Sequence, residues 1–129
     1  MYKTKNIEKW LGYDFEPVEC RTGKDFTNFS RNLKAEIEAQ LKGMGYTLAR
    51  YTKGYFIISG FIHNEKNGKY LFFSVDDVRF SKNWHKDILI REARNEKDYR
   101  GGYNQYTSLE NFGESAMRIL ESTYSQLAA

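Results

Sequence analysis

The fold of this chain is decided by residues 46–75, which read YTLARYTKGYFIISGFIHNEKNGKYLFFSV. Runs rich in aromatic and β-branched residues are separated here by two turn signals, Lys53-Gly54 and Asn67-Gly68. An Asn-Gly pair favours a two-residue hairpin turn, because both residues tolerate the positive φ that such a turn requires. The pattern predicts three consecutive antiparallel strands, at residues 46–51, 55–63 and 69–75.

The second and third runs indicate a sheet with two different faces. Residues 55–63 are almost all apolar, which favours a central strand covered by a helix. Gly60 within this run predicts a β-bulge or a close approach of another backbone. In the third run, successive side chains point to opposite faces. Tyr70 and Phe72 are therefore expected on one face, and the other face is expected to carry Leu71, Phe73 and Val75.

Helical patterns lie on both sides of these strands. Before them, apolar residues at intervals of three and four predict a helix over residues 25–42, which Gly43 and Gly45 would end. After them, residues 88–93 (ILIREA) predict a fourth strand or a short edge piece. Thr107 and Glu110 have the spacing of a capping box, which predicts the start of a second helix. The apolar stripe of that helix would be formed by Phe112, Ala116, Ile119 and Tyr124.

These elements predict an α+β fold. The expected architecture is an antiparallel sheet of three to four strands, with a helix from the N-terminal half and a C-terminal helix packed on one face. A length of 129 residues favours a single domain over residues 1–129, in which residues 1–24 are a candidate N-terminal extension. The second face of the sheet is expected to be partly open, so a monomer and a homodimer both stay possible outcomes.

Composition narrows the classes of protein further. Cys20 is the only cysteine, so the chain can form neither an internal disulfide nor a zinc site built on several cysteines. This favours a reducing, cytoplasmic setting. No apolar run reaches the ~20 residues needed to cross a bilayer, so no membrane association is expected. No motif for a cofactor is present, and we expect none to be bound.

Residues 79–106 are the candidate functional segment. They carry seven Lys or Arg and four Asp or Glu, so their net charge of +3 equals that of the whole chain. Arginine supplies planar forked donors and tyrosine supplies a rigid aromatic face with a polar tip, which suits recognition of protein or nucleic acid. The candidate binding residues are Arg79, Trp84, Arg91, Arg94, Lys97, Tyr99, Arg100, Tyr103 and Tyr106. We expect residues 94–106 not to pack as a core; the alternative is a long hairpin loop that covers the sheet, with Tyr99 and Tyr103 as lid residues.

A second arrangement raises a catalytic alternative. Asp77 lies near the end of the third predicted strand, and Glu92 lies on the fourth with Arg94 two residues later. Metal-dependent nucleases of the restriction-enzyme type place an Asp and an E-x-K in a similar order, and their carboxylates bind Mg²⁺. Arginine stands here where such enzymes have lysine, and it cannot release a proton to assist a water molecule.

Three stretches carry a resemblance. The runs SGFI (59–62), KYLFFSVDDVRF (69–80) and ILIREARNEKDYRGGYNQY (88–106) are similar to small uncharacterised proteins of bacterial phages and conjugative elements, over about residues 26–112. Small proteins in that setting are commonly inhibitors of host defence, including anti-CRISPR proteins, or accessory DNA-binding factors. The resemblance implies as partner a host nucleoprotein or nuclease, such as a CRISPR effector.

Three hypotheses of function follow from the sequence. The first is a non-enzymatic inhibitor that blocks a host-defence nucleoprotein through the basic Arg/Tyr surface. The second is an accessory protein that uses the same surface to bind the phosphates of DNA or RNA, and the third is a Mg²⁺-dependent nuclease that uses Asp77 and Glu92. The mild net charge of +3 makes simple mimicry of nucleic acid a poor explanation for the first.

Overall fold

The structure is a computed structural model, which describes residues 24–54, 57–75, 88–125 and 127. The described strands form one sheet in the order β1-β2-β3-β4-β5, and every neighbouring pair is antiparallel. This confirms the α+β class, with five strands where at most four were predicted. The elements are α1 (Lys24–Leu41), β1 (Tyr46–Lys53), β2 (Ile58–Asn64), β3 (Tyr70–Val75), β4 (Ile88–Ala93), β5 (Gln105–Thr107) and α2 (Phe112–Leu120).

The main core lies between the two helices and one face of the sheet. Four residues of the predicted stripe of α1 are buried there, Phe29, Leu33, Ile37 and Leu41, and Leu33 and Ile37 are fully inaccessible to solvent. The strands contribute alternate residues, as the pattern of the third run predicted. On β3 these are Leu71, Phe73 and Val75, whereas Tyr70 and Phe72 belong to a second, smaller cluster on the opposite face. We call the face opposite the helices the outer face.

Two glycine predictions are confirmed. Gly43 and Gly45 have φ values of 85° and 81°, a region that favours glycine, and they end α1. Gly60 lies where two backbones approach closely, since a Cβ atom there would be 2.4 Å from the carbonyl oxygen of Arg50. The irregularity in pairing lies on the neighbouring strand β1, between Leu48 and Arg50.

The predicted capping box is wrong. The second helix begins at Phe112, and Thr107 instead ends β5, where its hydroxyl oxygen is 2.7 Å from that of Ser115. One N–H at the start of α2 is satisfied from α1, because Gly113 donates its N–H to Oε1 of Gln40 at 2.8 Å. A capping motif reads only local spacing, so a cap supplied by a residue 73 positions away is invisible to it.

The C-terminal end of α2 is held by the turn between β2 and β3. The side-chain amides of Asn64 and Asn67 both donate to the carbonyl oxygen of Leu120, at 2.9 and 2.8 Å. These bonds satisfy a carbonyl that the helix leaves without an internal partner. Because α2 ends here, Tyr124 lies beyond the helix and is 84% exposed, which corrects its predicted place in the apolar stripe.

An ion pair strengthens the same junction. Glu121 accepts hydrogen bonds from the Lys66 ammonium at 2.7 Å and the Tyr46 hydroxyl at 2.6 Å. These donors hold the pKa of Glu121 below its usual range. Together with the two asparagines, they fix the position of α2 against the sheet.

Some sequence predictions fall outside the described residues. These are the N-terminal extension, apart from Lys24, and the first two residues of the predicted second strand. Neither described helix is long and apolar enough to cross a membrane.

Candidate binding surface

The outer face has an ordered row of side chains at its centre. The strand register places Arg50, Phe61, Phe72 and Arg91 opposite one another across β1 to β4. Directly opposed residues on one face are close enough to interact. The row therefore has two aromatic rings in the middle and an arginine at each end.

The two phenylalanines form a small core that a loop residue closes. Phe61 is fully buried and Phe72 is 7% exposed, and their ring centroids are 5.2 Å apart. The ring of Tyr99, from the segment after β4, meets both rings edge-on at 5.2 and 5.6 Å. Edge-to-face contacts of this kind add to the stabilisation from burial. Tyr99 covers the small core and is still 47% exposed itself.

Arg91 fastens the covering segment to the sheet. Its guanidinium carbon lies 4.6 Å from the centroid of the Phe72 ring, which is a cation–π contact. One terminal nitrogen donates to Oδ1 of Asn104 at 2.9 Å, and the other donates to the backbone carbonyl of Tyr99. The charge of Arg91 is thus used inside the protein and is only partly offered to a partner.

Asp98 organises the same segment from within. Its carboxylate accepts hydrogen bonds from the backbone N–H groups of Arg94 at 2.9 Å and Arg100 at 3.0 Å, and from the Arg94 guanidinium at 3.3 Å. Burial alone would raise the pKa of Asp98, but these donors outweigh it and the pKa lies below its usual range. Gly101 packs tightly beside the carboxylate, since a Cβ atom there would be 2.4 Å from Oδ2.

The segment therefore covers part of the sheet, as the alternative for residues 94–106 predicted for Tyr99, and the expectation that it would not pack is wrong. Tyr99 and Gly101 pack against the sheet, and Gln105–Thr107 form the edge strand β5. The candidate binding residues of this segment that stay exposed, which we call the 94–106 surface, are Arg94, Lys97, Tyr99, Arg100, Tyr103 and Tyr106.

The candidate binding residues fall into three groups. Arg79 and Trp84 lie outside the described residues. Arg91, Arg94 and Tyr99 make internal contacts as well as facing solvent. The remaining candidates are exposed: Lys97, Arg100, Tyr103 and Tyr106.

The other end of the outer face carries residues that the sequence did not single out. The rings of His63 and Tyr70 are stacked with centroids 4.3 Å apart and planes 18° from parallel. Nδ1 of His63 is 3.7 Å from a carboxylate oxygen of Glu65. Arg50, which lies opposite Phe61 on the same face, was not singled out either. Alternation along β2 and β3 was sufficient to place His63 and Tyr70 on one face, but the irregularity in β1 concealed Arg50.

Glu92 lies on the side of the sheet that faces the helices. Its side chain is 4% exposed, 3.8 Å from the Lys69 ammonium, and it accepts a hydrogen bond from the Ser125 hydroxyl at 3.3 Å. Asp77, its partner in the nuclease hypothesis, lies outside the described residues. Within the described ranges, no three His, Cys, Asp or Glu side chains are grouped so as to hold a metal ion.

Comparison with known proteins adds no relative. No family model matches the chain, and no curated protein or solved structure is significantly similar to it.

Proposed function

We propose that the chain is a non-catalytic binding protein that grips a protein partner through the 94–106 surface. The observation that carries this proposal is the pair Tyr103 and Tyr106, which are 73% and 57% exposed on a segment fixed by Arg91 and Asp98. Exposed tyrosines on an ordered backbone are effective anchors, because little conformational freedom is lost when they bind.

The internal hydrogen bonds of the arginines favour a protein partner over the phosphates of a nucleic acid at this surface. Arg91 donates to Tyr99 and Asn104, and Arg94 donates to Asp98. Side chains already bonded in this way contribute less to a phosphate backbone than their number suggests. Lys97 and Arg100 remain as exposed cations beside the tyrosines, so the complementary patch on the partner would be aromatic or apolar with an acidic rim.

We further propose that the partner is a host-defence nucleoprotein such as a CRISPR effector, which the chain inhibits by steric block. This identity is supported by the resemblance of about residues 26–112 to small proteins of phages and conjugative elements. The size of the chain is adequate for such a role. A typical stable interface covers ~800 Å² on each partner, which is about a tenth of the 7637 Å² surface of this chain.

Capture of purified CRISPR effector complexes on the immobilised chain tests the proposal. We expect Tyr103→Ala and Tyr106→Ala each to weaken capture at least tenfold, since anchors of this kind contribute about 2 kcal/mol or more. Tyr124→Ala is the matched control, because Tyr124 is as exposed but follows α2. A double variant at 103 and 106 that melts like wild type and is still captured fully would contradict the assignment of the surface.

A further inference from the structure

No outer-face residue of a described strand is acidic, although the carboxylate of Glu65, just after β2, reaches one end of this face, where it contacts His63 and Thr47. The register assigns three residues to this face from each of β1 to β4 and one from β5, and none is Asp or Glu. The one acidic residue of these strands, Glu92, lies on the opposite face. The outer-face residues are Thr47, Arg50, Thr52, Ser59, Phe61, His63, Tyr70, Phe72, Ser74, Leu89, Arg91, Ala93 and Tyr106.

A backbone irregularity adds a cation to this face. Tyr46 and Leu48 point toward the helices, so regular alternation would also send residue 50 inward. The register shifts by one residue between Leu48 and Arg50, which places Arg50 opposite Phe61 on the outer face. Bulges commonly re-aim a side chain near a functional site. Arg50 is exposed, and it stands at the β1 end of the central row.

We propose that the outer face binds single-stranded nucleic acid. Phosphates would lie against Arg50, whose side chain is exposed, while bases stack on the exposed part of the Tyr99 ring above the central row and on Tyr106 at the β5 edge. Cationic grooves lined with aromatic side chains bind single strands in this way, with little preference for sequence.

The rings available for stacking lie over the sheet. Tyr99 presents the exposed half of its ring above the two buried phenylalanines, and Tyr106 is 57% exposed at the β5 edge. The stacked pair His63 and Tyr70 offers a further aromatic surface, of which His63 is 25% exposed. A duplex keeps its bases stacked inside, so these rings favour a single strand over a double helix.

This inference does not rest on the protein partner proposed above. It concerns the sheet face and is tested with the full chain alone. The probe is a fluorescein-labelled twelve-nucleotide oligo(dT) or oligo(U), and its affinity is measured by anisotropy at ~50 and ~200 mM NaCl. A labelled duplex of the same length is measured in parallel.

Two substitutions outside the 94–106 surface decide the outcome. Thr52→Glu introduces a carboxylate at an exposed position among the outer-face strand residues, none of which is acidic, and we expect affinity to fall roughly fivefold, equivalent to ~1 kcal/mol of repulsion. Thr52→Gln is its neutral control.

Arg50→Gln should reduce the slope of log affinity against log salt by about 0.7, the value for one phosphate contact on a single strand. Arg118→Gln, an exposed arginine on α2, should leave the slope unchanged.

Three results would overturn the inference. The first is absence of oligonucleotide binding at ~50 mM salt. The second is equal binding by wild type, Thr52→Glu and Arg50→Gln. The third is tighter binding of the duplex than of the single strand. Loss of effector capture by Thr52→Glu without any oligonucleotide binding would assign the face to a protein instead. The proposed function fails separately, through undiminished effector capture by Tyr103→Ala, since Tyr103 is not a residue of the outer face.

Discussion

Replacing Asp98 by alanine should release the segment that carries the 94–106 surface. The carboxylate accepts two backbone hydrogen bonds, from Arg94 and Arg100, and one from the Arg94 guanidinium. Its side chain is only 10% exposed, so water cannot readily replace these donors. Buried hydrogen bonds to a charged group contribute about 1.5–3 kcal/mol each, and exposed ion pairs contribute about 0.2–1 kcal/mol.

The expected loss is at the lower end of that range, because Arg94 and Arg100 are both exposed at the surface. We expect the two backbone bonds together to account for about 2–3 kcal/mol of unfolding free energy. At roughly 4 °C per kcal/mol for a domain of this size, thermal melting should shift by ~8–12 °C. If the segment opens locally, the shift is smaller and the amide protons of Arg94 and Arg100 lose their protection against exchange.

The pH dependence provides a second test of the same contacts. The pKa of Asp98 is lower in the folded chain than in the unfolded chain, so its contribution is fully present above the unfolded value of ~3.9 and is lost as pH falls through the folded value. The stability difference between wild type and Asp98→Asn should therefore be largest near neutral pH and shrink below about pH 4.

Urea unfolding at a series of pH values, combined with amide exchange, measures both effects. Glu38→Gln is the control, since Glu38 is an exposed carboxylate on α1 and should show little of either. The reasoning is refuted if the amides of Arg94 and Arg100 exchange equally fast in wild type and Asp98→Ala. It is also refuted if the difference in unfolding free energy between wild type and Asp98→Asn is constant from near-neutral to acidic pH.

Three further outcomes are expected. Gly60→Ala should destabilise the chain by at least about 2 kcal/mol in urea unfolding, because its Cβ would lie 2.4 Å from the backbone oxygen of Arg50. Gln40→Ala should cost about 1–2 kcal/mol and speed amide exchange at Gly113, whose N–H it caps at 2.8 Å. Tyr99→Ala should cost about 1–3 kcal/mol and increase binding of a hydrophobic dye, because two aromatic contacts are lost and the small core beneath is uncovered.

Matched control substitutions separate these effects from a general sensitivity of the fold to substitution. Ser59→Ala lies beside Gly60 on the same strand and should be nearly neutral. Glu38→Ala lies near Gln40 on an exposed side of α1 and should leave exchange at the start of α2 unchanged. Tyr103→Ala removes a more exposed ring than Tyr99 and should not raise dye binding. A Gly60→Ala protein as stable as wild type would contradict the close backbone approach.

The parts of the fold that could be predicted are those set by local pattern. Alternation along residues 69–75 correctly divided the strand between two faces, because side chains of a strand alternate irrespective of what covers them. The apolar stripe on α1 and the glycines that end the helix could be predicted equally well from local sequence. Gln105–Thr107 were missed as a strand because three residues offer too little alternation to recognise.

The candidate site was harder to predict for a different reason. Counting charges in residues 79–106 treated every arginine as available to a partner, whereas Arg91 and Arg94 are bonded within the protein. Asp98 could be counted only as a negative charge, although it orders the segment. Such roles depend on which residues the fold and the loop conformation bring together. Composition carries no information on these contacts.

The two proposed surfaces follow from one feature of the architecture. Both helices cover the same face of the sheet, so the central strands must bury the aromatic rings of their other face by some other means. The chain does this partly, with Tyr99 over Phe61 and Phe72, and the segment that delivers Tyr99 also brings further tyrosines to the surface. One ring is enough to cover the aromatic centre of the outer face within the folded chain. A partner that extends this cover would bury more of the exposed aromatic surface and stabilise the face further.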